Sequence, residues 1–77
     1  DSSIKYILPK ESNVVIKIYN ILGKEIKSLI AQNQVAGNYS VQWDGTDNSG
    51  APVSSGAYIC KIKTENEIKS IKMIQLK

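Results

Sequence analysis

The sequence predicts an all-β fold, a small antiparallel β-sandwich of six or seven strands. Three observations predict it. Apolar residues recur with a period of two in four separate runs, those runs are rich in β-branched and aromatic residues, and all five glycines and both prolines fall in or beside the breaks between them. Alternation sends successive side chains to opposite faces of a strand, and β-branched and aromatic side chains suit a half-buried pleated surface. Gly and Pro punctuate such runs because they supply turn geometries or withhold a ladder donor.

The elements follow in chain order. Ile4, Tyr6 and Leu8 alternate with Lys5 and Ile7 until Pro9 ends the run, and residues 9–13 form a turn. Val14, Ile16 and Ile18 alternate with Val15, Lys17 and Tyr19, with a break at residues 20–24. Residues 25–32 carry Ile26, Leu29 and Ile30 at a spacing that fits a helical face as well as a strand. The segment is short and lies among strands, so it is read as a strand. After a break at residues 36–38, Tyr39, Val41 and Trp43 alternate with Ser40 and Gln42. Trp43 brings the largest buried volume and an indole N–H that needs an acceptor. Tyr58, Cys60 and Ile62 alternate with Ile59, Lys61 and Lys63, between the Gly-rich stretch 45–50 and a hairpin tip at 65–67. The last run is irregular, since Ile71 and Met73 share one parity and Ile74 and Leu76 the other. A strand with one wet face cannot bury both pairs, so a bulge near Met73 or cover on both faces is expected. Short strands at roughly 8–12 residue spacing are the pattern of a sandwich. Its expected core includes Ile16, Ile18, Val41, Trp43 and Tyr58.

Composition narrows the function. The chain has 77 residues and reads as one domain, 1–77. A chain of this size buries about 60% of its unfolded surface, which leaves little room for an enclosed active site. There is no His, so the usual proton shuttle at neutral pH and the commonest metal ligand are missing. A single Cys excludes an intrachain disulfide and a cysteine zinc site. Triad hydrolases and zinc enzymes are thereby excluded, and the chain is read as non-catalytic, without a cofactor.

The net charge of +3 comes wholly from Lys, with no Arg. Arg is the favoured reader of phosphate and guanine edges. Lys5, Lys17, Lys24, Lys61, Lys69 and Lys77 fall in separate segments, so the lysines read as a solvated surface with charged strand edges rather than a nucleic-acid site. No apolar run approaches the roughly 20 residues of a membrane helix, and no membrane insertion is expected.

Residues 44–50 hold Asp44, Asp47 and Asn48 between glycines, with two readings. A calcium loop would need a bidentate Glu at its twelfth position, where Ser55 stands. An Asx-rich turn, in which these side chains bond nearby backbone N–H groups, is favoured, and no metal site is expected. Cys60 shares the parity of Tyr58 and Ile62 and is read as a buried small hydrophobe. Glu65 and Glu67 flank a hairpin tip without a pocket and are not an acid–base pair.

The order of the motifs carries a resemblance. Ile4-Lys5-Tyr6-Ile7-Leu8-Pro9, Val14 through Ile26 with its Tyr19-Asn20 and Gly23-Lys24-Glu25, Ala36-Gly37-Asn38-Tyr39, Trp43-Asp44-Gly45, Val53 with Gly56 and Tyr58, and the terminal Lys72-Met73-Ile74-Gln75-Leu76-Lys77 occur in series. That series resembles the type A C-terminal sorting domain of the type IX secretion system of Bacteroidetes. The family is closely related to the immunoglobulin-like domain of the flagellar hook-capping protein. One departure is Gln75, where an apolar residue is common. The resemblance implies an immunoglobulin-like sandwich that directs a larger passenger, lying upstream, through the type IX system. Its partners would be the outer-membrane translocon and sortase, and the route through periplasm and outer membrane would end in secretion or at the cell surface. Lys72, Met73, Ile74, Leu76 and Lys77 would be the candidate translocon-recognition residues. The alternative is a structural or binding accessory β-sandwich module of a multidomain extracellular protein. It could space or support an enzyme, or serve in assembly like the hook-cap domain.

Overall fold

Each alternating run becomes a strand in the computed structural model, which describes residues 2–76. Among the described residues there are six strands and no helix: β1 (Ser2–Leu8), β2 (Ser12–Asn20), β3 (Glu25–Gln34), β4 (Gly37–Trp43), β5 (Gly56–Lys63) and β6 (Ile68–Gln75). All pairings are antiparallel. β1 and β4 make a two-stranded sheet, and the other four pair in the order β3-β2-β5-β6. The all-β expectation holds.

The two inner faces meet in the core. On the small sheet Ile4 lies opposite Val41 and Tyr6 opposite Tyr39, whose rings stack with centroids 5.2 Å apart. On the large sheet Ile16 lies opposite Ile62 and Ile18 opposite Cys60. Ile16, Ile18, Trp43 and Tyr58 are buried, while Val41 is half-buried. β4 has β1 as its single sheet neighbour, so the outer flank of Val41 stays open. Trp43 meets Tyr58 edge-on at 5.2 Å, and its indole N–H donates to the Thr46 carbonyl at 2.8 Å. The Tyr58 hydroxyl donates to the Ser54 carbonyl at 2.7 Å, so both large aromatics have satisfied polar tips.

The ambiguous segment is a strand, and its helix-like spacing has a local cause. The β2–β3 register slips twice, between Ile16 and Lys17 and between Ile18 and Tyr19. Ile16 faces Ile30 and Lys17 faces Ser28, which leaves Leu29 as an extra residue; Ile26 is the extra residue at the second slip. Each bulge re-aims the strand by one position. Ile26, Leu29 and Ile30 therefore all pack against the core.

β6 corrects the expectation drawn from its mixed parity. Its register with β5 runs unbroken from Gly56 opposite Gln75 to Lys63 opposite Ile68, so there is no bulge at Met73. No second cover exists over the described outer face either. Met73 points inward opposite Tyr58 and is buried, whereas Ile74 is 59% exposed and Leu76 80%. The second apolar pair stands in solvent.

Gly45 couples the loop after β4 to this last strand. It is buried, has φ of +79°, and accepts a bond from the Val53 N–H at 2.9 Å. A Cβ at Gly45 would overlap the side-chain amide of Gln75. Gly45→Ala is expected to cost about 1–2 kcal/mol for the left-handed backbone alone, plus whatever displacing Gln75 requires. Thermal melts of Gly45→Ala, Gln75→Ala and the double variant separate the two contributions. Adding Gln75→Ala should recover the overlap but not the backbone cost, and full recovery would show that the positive φ is unimportant here.

Candidate functional site

The loop at residues 44–50 folds around its own side chains. The Asp44 carboxylate accepts from the Thr46 N–H at 3.1 Å and hydroxyl at 2.6 Å. The Asp47 carboxylate accepts from the Ser49 N–H at 2.9 Å, the Ser49 hydroxyl at 2.7 Å and the Ala51 N–H at 3.0 Å. Asn48 ties the loop to β3: its Oδ1 accepts from the Ser28 N–H, and its own N–H donates to the Ile26 carbonyl, both at 2.9 Å. Asp44 and Asp47 thus form Asx turns that organise backbone, while Asn48 departs from that expectation by bonding across to β3 instead of to a nearby N–H. Calcium added to about 1 mM, the range of weak extracellular sites, should leave the melting temperature unchanged. A clear rise would overturn this assignment.

The same bonds make the loop acid-sensitive. The Thr46 hydroxyl holds the Asp44 carboxyl below its usual range, and the Ser49 hydroxyl with the Ala51 N–H does the same for Asp47. A carboxyl whose pKa is depressed by folding stabilises the fold above its unfolded pKa of about 3.9 and loses that contribution as pH falls through the folded value. The melting temperature should therefore be flat from about pH 7 to 5 and decline below about 4, with a shallower decline in Asp47→Asn. An identical acid profile in that variant would remove Asp47 from the account.

The terminal candidates do not converge. Lys72 and Ile74 sit on the outer face of β6, Met73 faces the core, and Leu76 follows the strand. Lys77 lies outside the described residues. β6 is an edge strand, paired on one side by β5. Cys60 is fully buried, and burial pushes its thiol up to about 11, so thiolate chemistry at neutral pH is suppressed.

The arrangement that sequence reasoning missed lies on the outer face of the four-stranded sheet. The register sets Lys17 opposite Lys61, Val15 opposite Lys63, and Ile59 opposite both Tyr19 and Lys72. Lys17 pairs with Glu25 at 2.9 Å, which raises the lysine pKa and lowers that of the carboxyl. The Lys61 ammonium stands 5.2 Å from the Tyr19 ring centre. Val15, Lys17, Tyr19, Lys61 and Lys63 line an open depression of about 320 Å³. Of the lysines that looked scattered along the chain, Lys17 and Lys61 are brought together here by strand pairing, with Lys63 beside them. Their shared outward parity was the signal available in the sequence.

The FlgD Ig-like domain family matches residues 1–67. Among solved structures the chain is similar to FlgD from P. aeruginosa, with a TM-score of 0.71 and 29% identity. That likeness covers 94% of this chain and 57% of the FlgD chain. No curated protein matches. These findings correct the sorting-signal expectation: both lead to FlgD, and residues 72–77, which carried the terminal motif, lie beyond the matched family segment. The related immunoglobulin-like domain is the correct side of the resemblance, and the chain belongs to the FlgD Ig-like domain family.

Proposed function

We propose that this chain is a non-catalytic, structural Ig-like module that serves in the assembly of a longer extracellular protein, as the corresponding domain serves the flagellar hook cap. The observation that carries this reading is the match to the FlgD Ig-like family over residues 1–67, with 29% identity to a FlgD structure along 94% of the chain. The physical design is consistent with it. Polar groups of the 44–50 loop are committed to holding β3 and the turn in place, and the one cysteine is sequestered in the core. The side chains left facing outward suit the holding of a partner.

The test is deletion of this segment from the gene of its parent protein, with immunoblots of the exported protein and electron microscopy of the assembled structure. Export should continue while incorporation into the assembly is lost. Inserting an unrelated Ig-like domain of similar length should not restore incorporation. Normal assembly without the segment would overturn the proposal.

A further inference from the structure

The outer face of a sandwich sheet ordinarily carries mixed polar residues, and the small sheet conforms: Ser3, Lys5, Asn38, Ser40 and Gln42 point outward beside Ile7. The large sheet does not. By register its strands present Lys17, Lys61, Lys63 and Lys72 against one strand carboxylate, that of Glu25, with Glu65 in the turn at the end of the face accepting from the Asn13 N–H at 3.1 Å. Like charges directly opposite one another oppose pairing, and Lys17 faces Lys61 across β2 and β5. Glu25 relieves the first of these at 2.9 Å, and this is the one salt bridge among the described residues. Lys61 has the Tyr19 ring instead of a carboxylate, and Lys63 and Lys72 form no ion pair among the described residues.

We propose that this face is a docking surface for an acidic protein segment, whose carboxylates pair with Lys61 and Lys63 over the depression floored by Val15 and Tyr19. The proposal rests on the assembly-module reading and names its contact surface. Charge complementarity selects an anionic occupant. The same face selects a protein one, because the half-buried Ile59 and the exposed Ile68 and Ile74 extend it with apolar surface that suits a protein interface. A nucleic acid would be served poorly, since all its cations are Lys and Tyr19 is its one aromatic ring. A second copy docking by the same face would bring lysines against lysines.

The experiment uses the whole chain and a synthetic peptide of about ten residues alternating Glu and Val, followed by backbone amide resonance shifts at low salt. Saturable shifts confined to Val15, Tyr19, Lys61, Lys63 and their neighbours are expected. The Lys61→Glu and Lys63→Glu double variant should weaken binding by at least about tenfold. Lys5→Glu with Lys10→Glu changes net charge equally, away from this face, and should leave binding within about twofold. The charge-neutral Lys61→Gln and Lys63→Gln pair repeats the test if the Glu variant loses its fold. Absence of binding, equal loss in both charge-reversed doubles, or tighter binding of an oligothymidylate or phosphatidylserine vesicles would overturn the proposal. In the parent protein, normal assembly by the Lys61→Glu, Lys63→Glu variant alongside failure of the deletion would sink this surface alone and leave the module reading standing.

Discussion

Trp43→Ala is expected to remove a large share of the domain's stability and to lower its melting midpoint by about 12 °C or more. The side chain is 0% exposed, packs edge-on against Tyr58 and binds the Thr46 carbonyl through its indole N–H. Truncating a buried Trp costs about 3–5 kcal/mol through lost transfer energy and the cavity left behind. A domain of this size has a total stability of only about 4–12 kcal/mol, so one substitution removes a large share of it. At roughly 4–8 °C per kcal/mol the midpoint should fall by about 12 °C or more. Loss of the indole bond also releases the turn that begins at Asp44, so the variant's 44–50 loop should lose hydrogen-exchange protection first. A midpoint within a few degrees of wild type would mean that the two sheets are not held together here.

Ile16→Ala is the second large effect, and Ile74→Ser is its control. Ile16 is fully buried and faces Ile62 on β5 and Ile30 on β3. Its truncation should cost about 2–5 kcal/mol. Ile74 is on the outer face of β6, where Ser should change stability by about 0.5 kcal/mol or less. Urea titrations of both variants check the contrast, because the sequence alone assigns apolar character to both positions. A cost at Ile74 comparable to that at Ile16 would place a cover on the outer face that the described residues do not supply.

Much of the fold was legible because strand identity is local. The alternation of Ile4, Tyr6 and Leu8, of Val14, Ile16 and Ile18, and of Tyr58, Cys60 and Ile62 states which side chains point together, whatever the partner strand. The Asx character of Asp44 and Asp47 was legible for the same reason, since their hydrogen bonds reach residues two to four positions away, whereas Asn48 bonds across to Ser28 on β3. The functional misreading has a related cause. Trp43, Gly45, Tyr58 and the turn residues around them build the sandwich, so motifs made of them report a fold shared by related families and say little about its use.

Pairing, by contrast, is a choice among distant partners. The placement of β1 with β4 in a separate sheet, the two bulges that bring Ile26 and Leu29 to the core, and the exposure of Ile74 all depend on which strand lies alongside. The basic face depends on it most. Lys17 and Lys61 are 44 positions apart in the chain and directly opposite in the sheet, a juxtaposition that antiparallel register creates and that no local alternation contains.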